Sequence, residues 1–356
     1  MPKFAAVFLV FIGAAALIAL GMFIFAPAAF FGKDGTKEMP KKEASIIVSE
    51  DGGATWHVLE TARGLEPLSF EFKKGDTNQF YIGTKGMGLW VSTDAGNTII
   101  QVGDPGNKLD TDADIYHITQ NASGDALYLS VFQRGYGMLI RLSGDRAENL
   151  YTAPLQNFGI FGSIVSERDE RHISLASGDG SFLETVDGGK TWETISRTKE
   201  GFIMLEKDPE REGHFWALGN KQSFYATDTG GRLWREYRNI KVDEKESPGQ
   251  IHSFIFSQTR KALLAASDYG LLESLDNGAS WRAFRTPVPP RTLKVTAVAS
   301  HPYFGEVLWM ILGGEVYRTD DGGITWRMNL LPGKVPIRFL RVDAGNPKKL
   351  YAGISR

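Results

Sequence analysis

Aspartates that stand next to glycines are the residues of this sequence with the clearest capacity for chemistry. The stretch "SEDGGATW", residues 49–56, places Asp51 before two glycines and Thr55. Such a loop could hold a metal ion or position a carboxylate for proton transfer. However, the same pattern of Ser or Thr, Asp, Gly, Ser or Thr, and Trp returns along the chain. A motif that recurs at a nearly fixed spacing predicts a structural repeat, so its recurrences decide its meaning.

The motif occurs seven times, in five clear and two degenerate copies. Its aspartates are Asp51, Asp94, Asp145, Asp187, Asp228, Asp276 and Asp321, and its tryptophans are Trp56, Trp192, Trp234, Trp281 and Trp326. The copy at Asp145 has neither the glycine nor the tryptophan, and the copy at Asp228 carries one extra residue before Trp234. Because Asp and Ser or Thr side chains accept backbone N–H groups in turns, we expect the motif to stabilise a turn, with each tryptophan buried beside it.

Each interval between these aspartates contains four short runs rich in Val, Ile, Phe, Tyr and Trp, separated by Gly, Asp, Asn and Pro. A clear example comprises residues 68–72, 79–84, 88–93 and 98–102. Four short strands in a unit of about 40 to 50 residues are typical of a propeller blade. The sequence therefore predicts an all-β, seven-bladed β-propeller of four-stranded antiparallel blades, with the motif between the third and fourth strands.

The two ends of the repeat region complement each other. Residues 337–343 and 349–354 have the pattern of the first and second strands of a blade, and residues 44–48 and 55–59 have the pattern of the third and fourth strands. We therefore expect the N- and C-terminal strands to share one blade, which closes the ring by strand pairing.

The first 31 residues have a different composition from the rest of the chain. No charged residue occurs in the 28 positions 4–31, and about 20 apolar residues in a helix cross a hydrocarbon layer of about 30 Å. We expect an N-terminal transmembrane helix or signal segment at 1–31, a flexible linker at 32–43 and the propeller at 44–356. The alternative is a cleaved signal peptide, with 26–28, "APA", as the cleavage site. The propeller is expected outside the cytoplasm, on the periplasmic or extracellular side, and secreted if the segment is cleaved.

Composition excludes several classes of protein. The 40 basic and 42 acidic residues give a net charge of -2, which provides no basic surface for nucleic acid. The absence of cysteine excludes disulfides, thiol nucleophiles and zinc–cysteine sites. Asp110, Asp112 and Asp114 alternate as in a calcium loop, but Ile115 and Asn121 stand where such a loop needs glycine and glutamate. We predict no metal and no cofactor.

The repeated S-x-D-x-G-x-T-W motif resembles the Asp-box, or BNR repeat, of sialidases, sortilin-type receptors, xyloglucanase-like hydrolases and photosystem II assembly factors. The resemblance covers residues 44–356. It implies that the boxes lie at the periphery of the blades, away from the face that carries function. The photosystem assembly factors are the most similar in build, because they combine one seven-bladed ring with an N-terminal export or anchoring segment.

Function is then expected on the face opposite the boxes, which carries the turns between second and third strands and the crossings between blades. Tyr and Arg are common anchors of protein interfaces. The predicted partner-binding residues in these turns are Lys85, Arg134, Tyr136, Lys221 and Tyr269. No catalytic residue is predicted.

Two functions from different classes stay open. The first is a membrane-anchored, non-catalytic propeller that binds a protein or peptide partner, in an assembly-factor-like or scaffold role in the cell envelope. The alternative is a glycoside hydrolase or a carbohydrate-binding protein of the sialidase or xyloglucanase-like group. A sialidase would need three arginines, for which Arg134, Arg338 and Arg341 are available, but its Arg-Ile-Pro signature is missing and its ring has six blades. The xyloglucanase-like enzymes have two propellers, whereas the sequence predicts one.

Overall fold

The fold is taken from a computed structural model, which describes residues 45–333 and 335–354. This part of the chain consists of 28 strands and one short 3-10 helix, Glu60–Ala62. In chain order the strands are β1 (Ile46–Ser49), β2 (His57–Val58), β3 (Pro67–Lys73), β4 (Asp76–Thr84), β5 (Leu89–Ser92), β6 (Ile100–Gln101), β7 (Asp114–Gln120), β8 (Ala126–Gln133), β9 (Tyr136–Ser143), β10 (Arg146–Thr152), β11 (Ile160–Val165), β12 (Ile173–Ser177), β13 (Ser181–Thr185), β14 (Glu193–Arg197), β15 (Phe202–Lys207), β16 (Phe215–Gly219), β17 (Phe224–Thr227), β18 (Arg235–Tyr237), β19 (Ile251–Ser257), β20 (Ala262–Ser267), β21 (Leu271–Ser274), β22 (Arg282–Ala283), β23 (Val295–Ser300), β24 (Leu308–Leu312), β25 (Glu315–Thr319), β26 (Arg327–Asn329), β27 (Ile337–Val342) and β28 (Leu350–Ile354).

The strands form seven four-stranded antiparallel sheets, which are the blades of a propeller. Blade 1 contains β3 to β6, blade 2 β7 to β10, blade 3 β11 to β14, blade 4 β15 to β18, blade 5 β19 to β22, and blade 6 β23 to β26. Blade 7 contains β27, β28, β1 and β2. The first strands of neighbouring blades contact one another all around the ring, so they surround a central channel. The predicted seven-bladed architecture is confirmed.

Blade 7 joins the two ends of the described chain. Strand β1 pairs with β28, with Ile47 opposite Ala352, while β27 is the inner strand and β2 the outer strand. The prediction that N- and C-terminal strands share one blade is therefore confirmed. The pairing leaves no open sheet edge where the ring closes.

Apolar side chains between adjacent blades form the core, because each blade packs both of its faces against neighbours. Between blades 7 and 1, Phe70 stacks on Phe80 and on Tyr351, with ring centroids 4.9 and 5.1 Å apart. All three side chains are buried. Burial on both faces explains why second strands such as β20 and β24 are continuous apolar runs rather than alternating ones.

The Asp-box turns connect third and fourth strands, as predicted. In blade 7, Ser49 Oγ donates to Asp51 Oδ1 at 2.8 Å and accepts the N–H of Gly53 at 2.8 Å. Asp51 in turn accepts the N–H and the hydroxyl of Thr55, at 2.9 and 2.7 Å. Equivalent bonds surround the aspartates of four other boxes, which are Asp94, Asp187, Asp276 and Asp321. These carboxylates therefore hold turns together.

The tryptophans of the boxes pack between blades, but not all to the same depth. Trp56 and Trp281 are buried, whereas Trp192, Trp234 and Trp326 are partly buried. Each buried indole donates to its own box glycine, at 3.0 Å from Trp56 to the Gly53 carbonyl. The expectation of full burial holds for two of the five.

In blade 4 the hydrogen bonds place Thr229, rather than Asp228, at the aspartate position of the box. Thr227 Oγ1 accepts the N–H of Gly231 at 3.2 Å, and Thr229 Oγ1 accepts the N–H of Leu233 at 2.9 Å. The alignment with an extra residue before the tryptophan is therefore wrong, since the box is one residue later. Asp228 instead forms an exposed ion pair with Arg235, at 2.9 Å.

Blade 2 has a tight hairpin where the sequence predicted a degenerate box at Asp145. Ser143 pairs directly with Arg146, so Gly144 and Asp145 alone form the turn. A turn of two residues leaves no room for the box loop, and Gly144 has the positive φ of 60° that such turns use. Asp145 is therefore a hairpin residue and not a box residue.

The predicted membrane segment 1–31 and the linker 32–43 lie outside the described residues. In the part of the chain that the structure describes, no helix has the length and apolar character needed to cross a bilayer.

Candidate functional site

The strand order gives the ring two different faces. We call the face with the Asp-box turns and the turns between first and second strands the lower face. The opposite, upper face carries the turns between second and third strands and the crossings between blades. The first strand of every blade therefore runs from the upper to the lower face and lines the channel.

A β-bulge occurs at the same place in the first strand of all seven blades. Near the start of each strand, a buried residue such as Ile115 or Ile337 is followed by one extra residue, after which pairing resumes. The seven extra residues are Leu68, Tyr116, Phe161, Ile203, His252, Thr296 and Arg338. Bulges re-aim side chains at the rims of closed sheets. These residues surround the upper mouth of the channel, and we call them the bulge ring.

Arg338 and Tyr116 bring charge and an aromatic face to this mouth. They belong to blades 7 and 2, which are not neighbours, yet Arg338 faces Tyr116, Asp114 and Glu66 across the channel. Tyr116 donates to Asp114 Oδ2 at 3.2 Å, and its ring lies 5.7 Å from the ring of Phe161. Burial, reinforced by the charge of Asp114, raises the pKa of Tyr116, so the phenol stays protonated.

Burial also lowers the pKa of Arg338, although its side chain stays partly exposed at the mouth. Among residues 45–333 and 335–354, Arg338 forms no hydrogen bond and no ion pair; it only faces the nearby charges. A partly buried guanidinium whose N–H groups bind no described residue is a favourable site for a carboxylate or another anionic oxygen group.

A second layer of titratable residues lies deeper in the channel. Arg341 acts electrostatically on Glu71, His117 and Glu206, which belong to three other blades. Burial raises the pKa of Glu71, and burial with the added charge of Glu71 raises the pKa of Glu206 to about 7. Burial and the charge of Arg341 lower the pKa of His117 to about 4, so this imidazole is neutral.

Ion pairs cross the lower end of the channel. Lys74 of blade 1 and Lys207 of blade 4 both bind Glu167 of blade 3, with Nζ to Oε1 distances of 3.0 and 2.6 Å. Lys74 also donates to the carbonyl of Asn121 in blade 2 at 2.9 Å. These contacts tie four blades together at the lower end of the channel.

The structure brings one of the predicted partner-binding residues to the mouth. Lys85 lies 3.7 Å from Glu66, which is one of the carboxylates that face Arg338. The next residue, Gly86, donates its N–H to Asp114 Oδ1 at 2.7 Å, so the turn is fixed against the mouth.

The other four predicted residues are farther out on the upper face. Arg134 is exposed but forms a bidentate ion pair with Asp110, and Tyr136 is half-buried on the same turn. Lys221 is exposed. Tyr269 is buried, and the guanidinium of Arg291 lies over its ring at 5.5 Å. A partner at this place would therefore meet Arg291 before Tyr269.

Sequence reasoning missed the bulge ring as a group. The sequence offers Arg338 and Arg341 only as members of an arginine triad with Arg134, and the structure separates the three. Arg338 and Arg341 lie at different depths of one strand, while Arg134 is held by Asp110 on the outer surface. The sequence nevertheless contained a signal. The residue that follows the first buried residue of each inner strand is of a different type in each of the seven blades. Its meaning becomes visible only from the pairing register.

The aspartates of the calcium-like stretch are used for protein contacts. Asp110 binds Arg134, and Asp114 binds Gly86 and Tyr116. Within the described residues there is no group of three or more His, Asp or Glu side chains that could hold a metal ion.

The fold and the boxes define the class of this chain, which is a seven-bladed Asp-box β-propeller. Residues 317–328 match the BNR/Asp-box repeat. The chain resembles the photosystem II assembly factors. Over 177 residues it is 27% identical to the Photosystem II assembly lipoprotein Ycf48 of Picosynechococcus sp., a match covering 48% of this chain and 49% of that protein. The match thus spans about half the length of the curated relative.

A further relative and two solved structures share features with the chain. A probable oligoxyloglucan-reducing end-specific xyloglucanase of Neosartorya fischeri is 26% identical over 129 residues, which are 33% of this chain and 16% of that protein. YCF48 from Cyanidioschyzon merolae superposes with a TM-score of 0.63 at 15% identity, over 82% of this chain and 96% of that one. YCF48 bound to D1 peptide gives a TM-score of 0.60 at 14% identity, over 82% and 93%. At these identities the two structures show a common fold.

Proposed function

We propose that this chain is a non-catalytic propeller that binds a protein or peptide segment at the upper mouth of its channel, in a role similar to that of the photosystem II assembly factors. The observation that carries the proposal is Arg338, a partly buried guanidinium without a hydrogen bond or ion pair among the described residues. A carboxylate of a partner would satisfy its N–H groups in an environment where charge-assisted hydrogen bonds are strong.

The surroundings of Arg338 suit a peptide better than a small inorganic anion. Tyr116 and Phe161 offer two adjacent aromatic rings for an apolar side chain next to the carboxylate. Lys85 at the edge of the mouth adds a second cation. Arg134, Tyr136 and Lys221 on the turns farther out, with Arg291 above Tyr269, would contact a larger partner around this centre. The solved YCF48 complex with a D1 peptide supports a peptide ligand by analogy of fold.

The proposal includes localisation. The uncharged run at 4–31 supports an anchor or export segment, and the matched relatives include lipoproteins. We propose that the propeller works outside the cytoplasm at a membrane, on a partner of the cell envelope.

The test compares partner recovery from native membranes between wild type and Arg338→Met. The variant keeps the aliphatic stem and removes the charge, so the ring should fold. Recovery of the partner should fall at least tenfold. Arg327→Met, on the exposed lower face, is the matched control and should recover the partner normally. Charge reversal at Arg134 together with Lys221 reports whether the outer turns contribute. Equal recovery by wild type and Arg338→Met would refute the site.

The alternative, a carbohydrate-active protein, is favoured by one observation. Glu71 and Glu206 are two carboxyl groups whose pKa values are raised by burial, as the acid of a glycosidase pair requires. However, both carboxyl groups lie deeper in the channel than the mouth. Both also feel the positive charge of Arg341, which lowers their pKa values and so opposes the protonated form that a catalytic acid needs. Release of reducing sugar from xyloglucan oligosaccharides, abolished in Glu206→Gln, would establish this alternative.

A further inference from the structure

A groove lies on the outer flank of the ring, where blades 4 and 5 meet. Its volume is about 760 Å³, which is within the range of ligand sites, and the stretches 236–244 and 273–282 supply its lining. The lining includes none of the described residues of the upper mouth or of the predicted partner-binding turns. We call this cavity the flank groove, and it is separate from the site proposed above.

The flank groove follows the outer edge of β18, the fourth strand of blade 4. Consecutive residues of a strand point to opposite faces of the sheet. Glu236 accepts the hydroxyl of Tyr225, which packs between blades 3 and 4, whereas Tyr237 packs between blades 4 and 5. Both Glu236 and Tyr237 line the groove, so the groove lies at the edge that separates the two faces.

The outer edge of β18 has backbone groups available for pairing. Among residues 45–333 and 335–354, no backbone hydrogen bond joins β18 to a strand or loop other than β17. An antiparallel ladder turns every second N–H and C=O away from the partner strand. A row of such groups is a template for one more strand, so the groove contains a place where an extended chain can pair.

Blade 5 shows that the outer edge of a blade accepts such an addition. Val242, in the crossing that leaves blade 4, forms a parallel bridge with Trp281 at the start of the fourth strand of blade 5. The N–H of Asp243 donates to the carbonyl of Trp281 at 2.9 Å. The crossing thus covers the edge of blade 5 and leaves the edge of β18 open.

The charges of the lining favour a cationic occupant. Two of its five carboxylates, those of Glu236 and Glu273, are neutralised by arginines. Within the described residues the other three form no ion pair, and Lys241 is the one lining cation in the same state. These three carboxylates belong to Asp243, Glu244 and Asp276. Because complementary charge attracts a partner and like charge rejects it, the groove should select Lys or Arg over Asp or Glu.

Two of these carboxylates stand on one tight turn. The N–H of Lys245 donates to the carbonyl of Val242 at 3.0 Å, and the central residues Asp243 and Glu244 have φ values of 49 and 61°. Positive φ at both central positions is typical of a type I′ turn, where Asn and Gly are the usual residues. A glutamate with this φ costs stability, so the turn departs from the sequence that stability alone would favour.

We propose that the flank groove binds an extended, basic segment of a protein partner, which pairs with β18 as a fifth strand of blade 4. Main-chain hydrogen bonds to the strand edge hold the segment, and Asp243, Glu244 and Asp276 select its Lys or Arg side chains. Leu275, which is exposed in the lining, contacts an apolar side chain between the basic ones. The inference is independent of what the upper mouth binds.

Calorimetric titration of the full-length protein with a capped hexapeptide, acetyl-Lys-Val-Lys-Val-Lys-Val-amide, tests the inference. The peptide carries no carboxylate, so it offers Arg338 at the mouth nothing to bind. We expect it to bind at least tenfold more tightly than the matching Glu-Val peptide. A Lys-Pro peptide of equal charge should also bind at least tenfold more weakly, because proline lacks the N–H of a strand ladder. Binding of the Lys-Val peptide should slow hydrogen exchange at the amides of 236–238.

A pair of double variants locates the binding. Asp243→Asn with Glu244→Gln removes two lining charges and should weaken binding of the Lys-Val peptide at least fivefold. Asp145→Asn with Glu193→Gln is the matched control, since both carboxylates are exposed and neither lines the groove, and it should bind the peptide as wild type does. All four substitutions exchange exposed side chains, so the ring should fold in both variants.

Other outcomes would overturn the inference. Equal affinities of the Lys-Val and Lys-Pro peptides would show attraction between charges without strand pairing. Wild-type affinity in Asp243→Asn with Glu244→Gln, or unchanged exchange at 236–238, would place the peptide elsewhere on the ring. No binding of the Lys-Val peptide up to about 1 mM would show that the groove is not a peptide site.

Discussion

Trp309 donates a hydrogen bond from Nε1 to the carbonyl of Gly52 at 2.8 Å, although the two residues are 257 positions apart. Gly52 belongs to the box of blade 7, and Trp309 is a buried residue of β24 in blade 6. Arg318 donates to the same carbonyl at 2.8 Å. Side chains of blade 6 thus fasten the N-terminal half of blade 7, in addition to the strand pairing between β1 and β28.

Replacing Trp309 with Phe should therefore weaken ring closure. The change removes the bond and part of a buried ring, but Arg318 keeps the Gly52 carbonyl satisfied. We expect the free energy of unfolding to fall by about 2 to 3 kcal/mol, measured by urea denaturation. Trp326→Phe is the control, since this partly exposed indole bonds to the Arg285 carbonyl. The free energy of unfolding should fall less in Trp326→Phe than in Trp309→Phe. An equal fall in the two variants would contradict the special role of Trp309.

Gly278 of the blade 5 box should not tolerate a side chain. A Cβ there would lie 2.2 Å from the buried ring of Phe224, and the residue has a φ of 85°. Gly278→Ala is expected to cost about 3 to 5 kcal/mol, from overpacking together with the strained backbone. Gly64→Ala isolates the backbone contribution, because Gly64 has a φ of 89° and open space around it. If thermal unfolding showed equal effects for the two variants, contact with Phe224 would play no part.

The degenerate box of blade 4 can be repaired. The double variant Thr229→Asp with Leu233→Thr restores the carboxylate and hydroxyl that face each other in the other boxes. We expect an increase of about 1 kcal/mol in the free energy of unfolding from the restored hydrogen bonds. Asp228→Ala should change it by less than about 0.5 kcal/mol, because Asp228 forms only an exposed ion pair. A large fall in the free energy of unfolding of Asp228→Ala, with no rise in the double variant, would show that Asp228 is the box residue.

Glu206 should make stability depend on pH. Its folded pKa of about 7 lies above the ordinary value of 4.5, so the folded state binds its proton more tightly than the unfolded state. The contribution of this group is fully present below about pH 4.5 and is lost as the pH rises through 7. His117, with a folded pKa of about 4, acts in the opposite direction between about pH 4 and 6.5.

The two groups therefore offset each other in mildly acidic solution, and a difference measurement separates them. The free energy of unfolding of Glu206→Gln minus that of wild type should grow by up to about 3 kcal/mol between pH 4.5 and 7.5. Glu212→Gln on the exposed lower face is the matched control. A constant difference across this range would show that Glu206 is ionised throughout.

The repeat made the ring predictable, because the box and the four apolar runs recur in local sequence. The shared blade followed from the same pattern, since residues 337–354 and 44–59 supply complementary pairs of strands. The pattern of each strand depends on residues that are close together in sequence, and the shared blade follows because its two halves complete one repeat.

Several errors arose where the decisive contacts are long-range. The box of blade 4 is an exception, because Thr227, Gly231 and Trp234 already have the spacing of the other boxes and the bond from the Leu233 N–H to Thr229 spans only four residues. Tyr269 looks like an exposed turn residue until Arg291, from the next crossing, covers it. The bulges likewise depend on the register between neighbouring strands. Arg338 and Tyr116 lie 222 positions apart in sequence and meet only because the ring closes.

The seven bulges have a consequence for engineering. A bulge residue is extra to the hydrogen-bonded ladder, so its side chain can be exchanged while the register of the strand stays unchanged. The propeller thus combines a constant frame with seven variable positions around one opening. A combinatorial library confined to those positions would sample new ligands on an unaltered scaffold, as loop libraries do on antibody domains.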